Sequence, residues 1–436
     1  MKRVSLFAFD FVLLGATLTL TVFGILFVYS SGAGLGGELH SDEYVRQIAW
    51  AATGLALMTG VILLNYGRLR SIAVYLYAFI NLVLVITLLA GKEVHGARAW
   101  LGLGGLGIQP SEFAKVITIL FLASYFARIG KQVRQVPQFV LALAIVLIPM
   151  GLILLQPDMG TALVFIPIFV FTAFAAGARL RHVLFLPAAG LLAVILAIYP
   201  YYERYLLERE PSFLGLMSSF DMARYFLAAL VVVLALAYWG YRGSRKAHFY
   251  WLSYAGTLLL VALGGALVIG RVLREYQIMR LIVFLEPRVD PRGAGWNLIQ
   301  SVTAVGSGGL FGKGFLRGTQ SQYRFLPQQS TDFIFSILAE EWGFVGGLSV
   351  FVLFLVILIR GIRIMYAARD EFALVICAGL VGMIAFHAAV SIGMAMGIMP
   401  ITGIPLFFLS YGGSSLWTGM AAVGLLLNIY FRRYGH

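Results

Sequence analysis

The chain has 436 residues, of which 61% are hydrophobic and 12% charged. An ordinary soluble domain carries about 25% charged residues, and the mean hydropathy here is +0.91. A cytosolic enzyme, a disordered chain, a coiled coil and a secreted disulfide scaffold are thereby excluded, which leaves an all-α, polytopic integral membrane protein. Its single cysteine, Cys377, lies in an apolar run, so there is no intramolecular disulfide and no Cys-based zinc site.

A helical span takes about 20 mostly apolar residues to cross roughly 30 Å of hydrocarbon. In chain order this predicts spans at 11–29, 47–65, 71–90, 112–127, 137–155, 160–177, 183–199, 224–240, 250–270, 336–359, 372–396 and 415–431, about twelve in all. Lys2 and Arg3 precede the first, as in a signal peptide. Its apolar run is too long for one and no small-residue cleavage site follows, so it is expected to be retained.

With both termini placed in the cytoplasm, the inner segments hold 17 Lys and Arg against 3 acids, and the rest of the chain 15 against 16. These inner segments are the two termini and those near 66–70, 128–136, 178–182, 241–249 and 360–371. This positive-inside asymmetry accounts for the whole net charge of +13. It points to anionic membrane lipid as the partner of the basic face and gives no case for nucleic acid. The outer segments 30–46, 91–111, 200–223, 271–335 and 397–414 are longer and richer in Gly, Pro and polar residues. The largest, 271–335, contains apolar stretches and is expected to fold against the membrane surface. Any chemistry is expected on the outer face.

Several outer-edge motifs carry ionisable groups. In Gln109-Pro110-Ser111-Glu112-Phe113-Ala114-Lys115, the Pro suits a helix's first turn and Glu112 meets the positive end of the macrodipole. Glu112 and Lys115 share a face, either as an ion pair easing burial or as the lining of a cavity, since intramembrane charges usually mark one. Asp158, in Gln156-Pro157-Asp158-Met159-Gly160, reads as a cap for the next helix or as a functional acid. The stretch Gly306 to Phe315 looks like a phosphate loop. It fails the pattern, because Ser307 stands at the first Gly position and Gly314 follows the Lys; nucleotide binding is rejected. Asp332, in Ser330-Thr331-Asp332-Phe333-Ile334-Phe335, reads as a helix start or as a catalytic carboxylate. Ser410, Gly412 and Gly413, leading into the last span, present backbone N–H groups to an anion or permit close packing. The histidines His40, His95, His182, His248, His387 and His436 show no metal-ligand spacing. His387, inside a span, is a hydrogen-bonded packing group or a proton relay.

Together these motifs resemble the SEDS family of bacterial cell-wall proteins, which includes RodA, FtsW and SpoVE, with a short N-terminus most like the RodA branch. The match rests on Gly96-Ala97-Arg98-Ala99-Trp100, the runs 109–115 and 156–161, Tyr276-Gln277 through Pro287, and 307–314. It continues with 331–335, Glu340-Glu341-Trp342-Gly343, 399–405 and 410–415, in order over nearly the whole chain. The resemblance implies a single membrane domain over 1–436 and a peptidoglycan glycosyltransferase polymerising lipid II at the outer face of the cytoplasmic membrane, for cell elongation and shape. It also implies work with a class B penicillin-binding protein and other membrane proteins of the elongation complex. The family usually has ten spans, so 200–270 is expected to be an insertion carrying two more, with 271–335 the approach to the active site. Gln328 and Ser330 stand where the family commonly has Glu and His, Phe407 where a second Pro is common, and Ala99 where Arg is common.

Joining a sugar hydroxyl to an anomeric carbon bearing a polyprenyl diphosphate asks for a base and for positive charge near the departing group. Asp332 is the candidate base. Lys115 and Arg98, with Arg280 as a further candidate, are the cations for the diphosphate. Glu112 would orient Lys115 or share a divalent cation, magnesium or manganese, with an acidic partner, though nothing forces a metal. Two other functions fit a polytopic chain with buried charges: a lipid II flippase, and a non-catalytic scaffold that activates a penicillin-binding protein.

Overall fold

In lipid every backbone N–H and C=O must be satisfied within its own segment, so apolar runs of this length fold as helices. The computed structural model describes residues 9–34, 38, 39, 41–94, 96–102, 107–207, 209, 212, 215, 220–272, 275–291 and 293–434. Among these, eleven helices are long and apolar enough to cross a membrane. The expected sixth span, 160–177, is a broken one: α6 (Met159–Leu163) and α7 (Phe165–Ala175) together reach about 25 Å at 1.5 Å per residue, with Gly160 against the Thr402 carbonyl at one end and the Gly177 carbonyl accepting from Arg134 Nε at the other.

The chain divides into two compact units, residues 1–178 with 300–436, and residues 179–299. The first unit contains α1 (Phe11–Gly32), α2 (Glu43–Leu63), α3 (Tyr66–Ala90), a hairpin of β1 (Lys92–Val94) and β2 (Ala97–Trp100), α4 (Pro110–Ile129) and α5 (Val136–Leu155) before α6 and α7. The second has α8 (Leu180–Tyr205), α9 (Phe220–Ser244), α10 (Ala247–Val272) and α11 (Glu275–Leu285). Helix α12 (Ala294–Ser307) leads back to the first unit, which ends with the single turn α13 (Thr319–Gln322), α14 (Ile334–Tyr366), α15 (Glu371–Ala395) and α16 (Gly413–Phe431). Within the segment 271–335, whose residues 271–299 belong to the second unit and 300–335 to the first, the described residues form α11, α12, α13 and a 3-10 turn at Pro287–Val289.

Within the first unit, α15 and α16 are central, with 78% of each membrane window buried against 22% for α2 and α3. Helix association in lipid rests on close packing and hydrogen bonds, and small residues allow it. A Cβ on Gly379 would press on Ile119 of α4 and Thr172 of α7, and one on Gly424 would meet the Met58 carbonyl of α2. At one end of this unit Asp10 caps α1 through the Leu13 N–H and receives both Arg360 Nε and Nη2 at 2.7 Å. There too Asp370 caps α15 and accepts from the Tyr66 hydroxyl, and Asn428 Nδ2 donates to the Val61 and Ile62 carbonyls. The opposite end carries the motifs.

In the second unit, Ala193, Leu196 and Ala197 of α8 pack on Ala262, Leu263 and Ala266 of α10, while Val231, Val232, Leu236 and Trp239 of α9 are exposed. Such a face suits lipid, consistent with a span of mean hydropathy 1.9 that is only 11% buried.

Candidate functional site

Residues 396–412, between α15 and α16, gather the motifs at one end of the first unit. The Asp332 carboxylate is half-buried, and its Oδ2 lies 3.5 Å from where a Gly403 Cβ would stand. Phe333, next to Asp332, occupies the N-cap of α14. The Asp332 N–H donates to the Gln328 carbonyl at 3.1 Å, and the Tyr411 N–H donates to the Ser330 carbonyl at 2.8 Å. Gln329 Nε2 donates to the Ser31 carbonyl at 2.6 Å. Gln328 and Phe408 hold φ of 52° and 70°, left-handed geometry that costs about 1–2 kcal/mol per residue and persists where the surroundings over-determine it. A Cβ on Gly24 of α1 would overlap the Phe408 carbonyl, so the loop lies directly on α1 at that glycine.

Glu112 and Lys115 form an ion pair at 2.7 Å, with side chains 1% and 0% exposed. Lys115 Nζ also lies 3.0 Å from His387 Nε2, and His387 Nδ1 lies 2.9 Å from the Pro405 carbonyl. A carbonyl only accepts and an ammonium only donates, which fixes the tautomer: Nδ1 carries the proton and Nε2 accepts from Lys115. The Phe407 ring stacks on His387 at 3.9 Å and stands 5.4 Å from the ammonium. Lys115 is therefore enclosed, and in this structure it does not face solvent.

Asp158 caps α6 through the Thr161 N–H and accepts from Gln109 Nε2 at 2.8 Å. Gln109 N–H in turn donates to Ser414 Oγ at 2.9 Å, and Gly160 abuts the Thr402 carbonyl. Ser410 Oγ accepts the Leu406 N–H at 2.9 Å, its carbonyl accepts from Gln47 Nε2 at 3.2 Å, and the Gly412 N–H donates to Gln47 Oε1 at 3.3 Å. Gly413 sits against the Trp50 ring. These contacts hold the Gly-Ser stretch against α2. Burial raises the Tyr411 phenol above its ordinary value.

Arg98 is 58% exposed on β2 and 3.6 Å from Glu93, a surface pair that leaves it open to a ligand. Arg280 lies half-buried on α11, in the other unit.

The Gly-rich stretch 307–314 has a structural explanation. Gly343, at φ 66°, breaks α14 internally, and the backbone groups released there are taken up by this loop. Lys313 and Gly314 N–H donate to the Glu340 and Glu341 carbonyls at 3.0 and 2.9 Å, and Phe344 and Val345 N–H donate to Gly309 and Leu310 at 2.9 and 3.1 Å. The Glu340 carboxylate is fully buried and receives Lys313 Nζ at 2.7 Å, Thr319 Oγ1 at 2.9 Å and the Gln320 N–H at 3.1 Å. Glu341 accepts from Ser30 Oγ of α1 and, at 3.2 Å, from the Leu316 N–H. These two acids were part of a motif but not of any site drawn from the sequence; adjacent carboxylates inside an apolar span are the signal that marks them.

Among the described residues no three His, Cys, Asp or Glu side chains come together as metal ligands, and His40, His95 and His436 lie outside the described residues. The second Glu112 oxygen is buried and without a hydrogen-bond partner.

A family model described as cell cycle protein FtsW, RodA and SpoVE matches residues 11–221 and 212–434. The chain is 47% identical to the peptidoglycan glycosyltransferase RodA of Treponema pallidum over 98% of both proteins. It is similar to the crystal structure of Thermus thermophilus rod shape determining protein RodA, with TM-score 0.62 and 26% identity over 99% of each chain. A similar chain, with TM-score 0.64 and 27% identity over 98% of this chain and 99% of that one, comes from work on structural coordination of polymerization and crosslinking by a peptidoglycan synthase complex.

Proposed function

The chain belongs to the FtsW, RodA and SpoVE family of cell cycle proteins, and we infer that it is a peptidoglycan glycosyltransferase polymerising lipid II into glycan strands for cell elongation and shape. The observation that carries the reaction is the Asp332 carboxylate, half-buried beside Gly403 at the end of the bundle where the motifs converge. An acceptor sugar hydroxyl attacks the anomeric carbon of the donor, the bond from that carbon to the diphosphate oxygen breaks, and polyprenyl diphosphate departs. Asp332 takes the hydroxyl proton.

Arg98 is the open cation for the departing diphosphate. Enclosed Lys115 and Glu112 act on the site from within, organising its charge. Asp158, Ser410, Gly412 and Gly413 hold the rim together. The site faces the outer side of the bacterial cytoplasmic membrane and both termini are cytoplasmic; the charge asymmetry of the sequence supports this orientation. A class B penicillin-binding protein is the partner, a reading supported by similarity to a chain from a peptidoglycan synthase complex.

Purified chain with such a partner, given labelled lipid II, should produce glycan strands on a gel. Movement of labelled lipid II across vesicle membranes without strands would make the chain a flippase instead.

A further inference from the structure

A run of hydrogen bonds leads from the buried ion pair to the backbone of the stretch that passes beside Asp332. Glu112 holds Lys115 at 2.7 Å, Lys115 donates to His387 Nε2 at 3.0 Å, and His387 Nδ1–H donates to the Pro405 carbonyl at 2.9 Å. Two residues before Pro405 is Gly403, whose Cβ position lies 3.5 Å from Asp332 Oδ2. Phe407, two residues after it, stacks flat on the imidazole with an interplanar angle of 21°. The imidazole is the only side chain joining the ammonium to this stretch by hydrogen bonds among those described.

We propose that His387 is a positioning residue: it anchors residues 403–407 to the Glu112–Lys115 pair and so fixes the backbone against which the Asp332 carboxylate is set. This rests on Asp332 being the base. His387 is fully buried and acts through the backbone it holds. Its chemistry is one donor and one acceptor on opposite sides of a planar group, and both are used. Packing alone would need the ring's shape but neither nitrogen. Small displacement of a base is costly, about 100-fold for 1 Å, so a tether of this kind should show in turnover.

Two substitutions separate positioning from packing. His387→Leu fills the space but makes neither hydrogen bond, whereas His387→Gln keeps one donor and one acceptor. In strand synthesis from lipid II with the partner present, His387→Leu should lower kcat about 100-fold with KM changed less than about threefold, and His387→Gln should recover at least about a tenth of wild-type kcat. Nitrogen-15 NMR of histidine-labelled protein supplies a readout independent of activity and of whether His387→Leu folds. The signal lost in His387→Gln should be a neutral ring protonated at Nδ1, and it should shift in Lys115→Met. A ring protonated only at Nε2, or an imidazolium, overturns the proposal; so does a Gln variant as slow as the Leu variant, or a folded Leu variant with normal kcat. Asp332→Asn run alongside keeps the failures apart. If it polymerises normally the assignment of the base fails, and if it is dead while His387→Leu is normal only the His387 assignment fails.

Discussion

Lys115 and Glu112 form an ion pair at 2.7 Å with essentially no exposed side-chain surface on either. Removing one member of such a pair leaves a buried charge uncompensated and costs about 3–5 kcal/mol, whereas replacing both by apolar groups of similar size is often tolerated. Lys115→Met and Glu112→Leu should each lower the melting temperature in detergent, and the double variant should melt above the lower of the two. Simple addition of the two losses would show that the pair is not coupled.

The Lys313–Glu340 contact predicts a second outcome. Glu340 receives three donors from residues 313–320 and is fully buried, so Glu340→Leu should release that stretch. Hydrogen exchange of residues 309–322 should accelerate at least about tenfold, since losing several charge-assisted bonds at about 1.5–3 kcal/mol each lowers the local opening energy. Unchanged protection would place the anchor in the backbone bonds to the break at Gly343.

Gly403 has a φ of 71° and faces Asp332. Gly403→Ala adds a methyl group there and strains the backbone by about 1–2 kcal/mol. Turnover should fall with a smaller effect on melting than that of Lys115→Met. Normal strand synthesis by a folded Gly403→Ala protein would separate the loop from the base.

How much of this was legible in sequence depends on the range of the interaction. Long apolar runs and their charge sidedness are local properties, and the long helices follow from them. The break at Val164 does not, because hydropathy stays high across a turn between α6 and α7. The Gly-Lys-Gly stretch reads as a phosphate loop that fails its pattern, and its pairing with the backbone groups released at Gly343 is announced by no local pattern. Lys115 and His387 are 272 residues apart, and only folding shows that a lone histidine in a span has a cationic partner. Asp332 was visible as an acid at the edge of an apolar run, while the approach of Gly403 to it was not.

Orientation is open to a direct probe. Cys377 is completely buried, so single cysteines introduced near 244 and near 330 can be read without background from it. The residue near 330 should react with an impermeant thiol reagent in intact cells, and the one near 244 only after permeabilisation. The reverse pattern would put Asp332 on the cytoplasmic side and remove lipid II polymerisation at the outer face.

Asp332→Asn is the decisive substitution, because it keeps the shape and most of the hydrogen bonding of the side chain while removing its capacity to accept the hydroxyl proton. The measurement is the initial rate of glycan strand formation from labelled lipid II by the purified variant with its penicillin-binding partner, alongside a melting curve and partner pull-down. If Asp332 is the base, strands should fall by at least about 100-fold while melting and partner binding match the wild type. Strand synthesis near the wild-type rate would show that Asp332 does not carry the reaction.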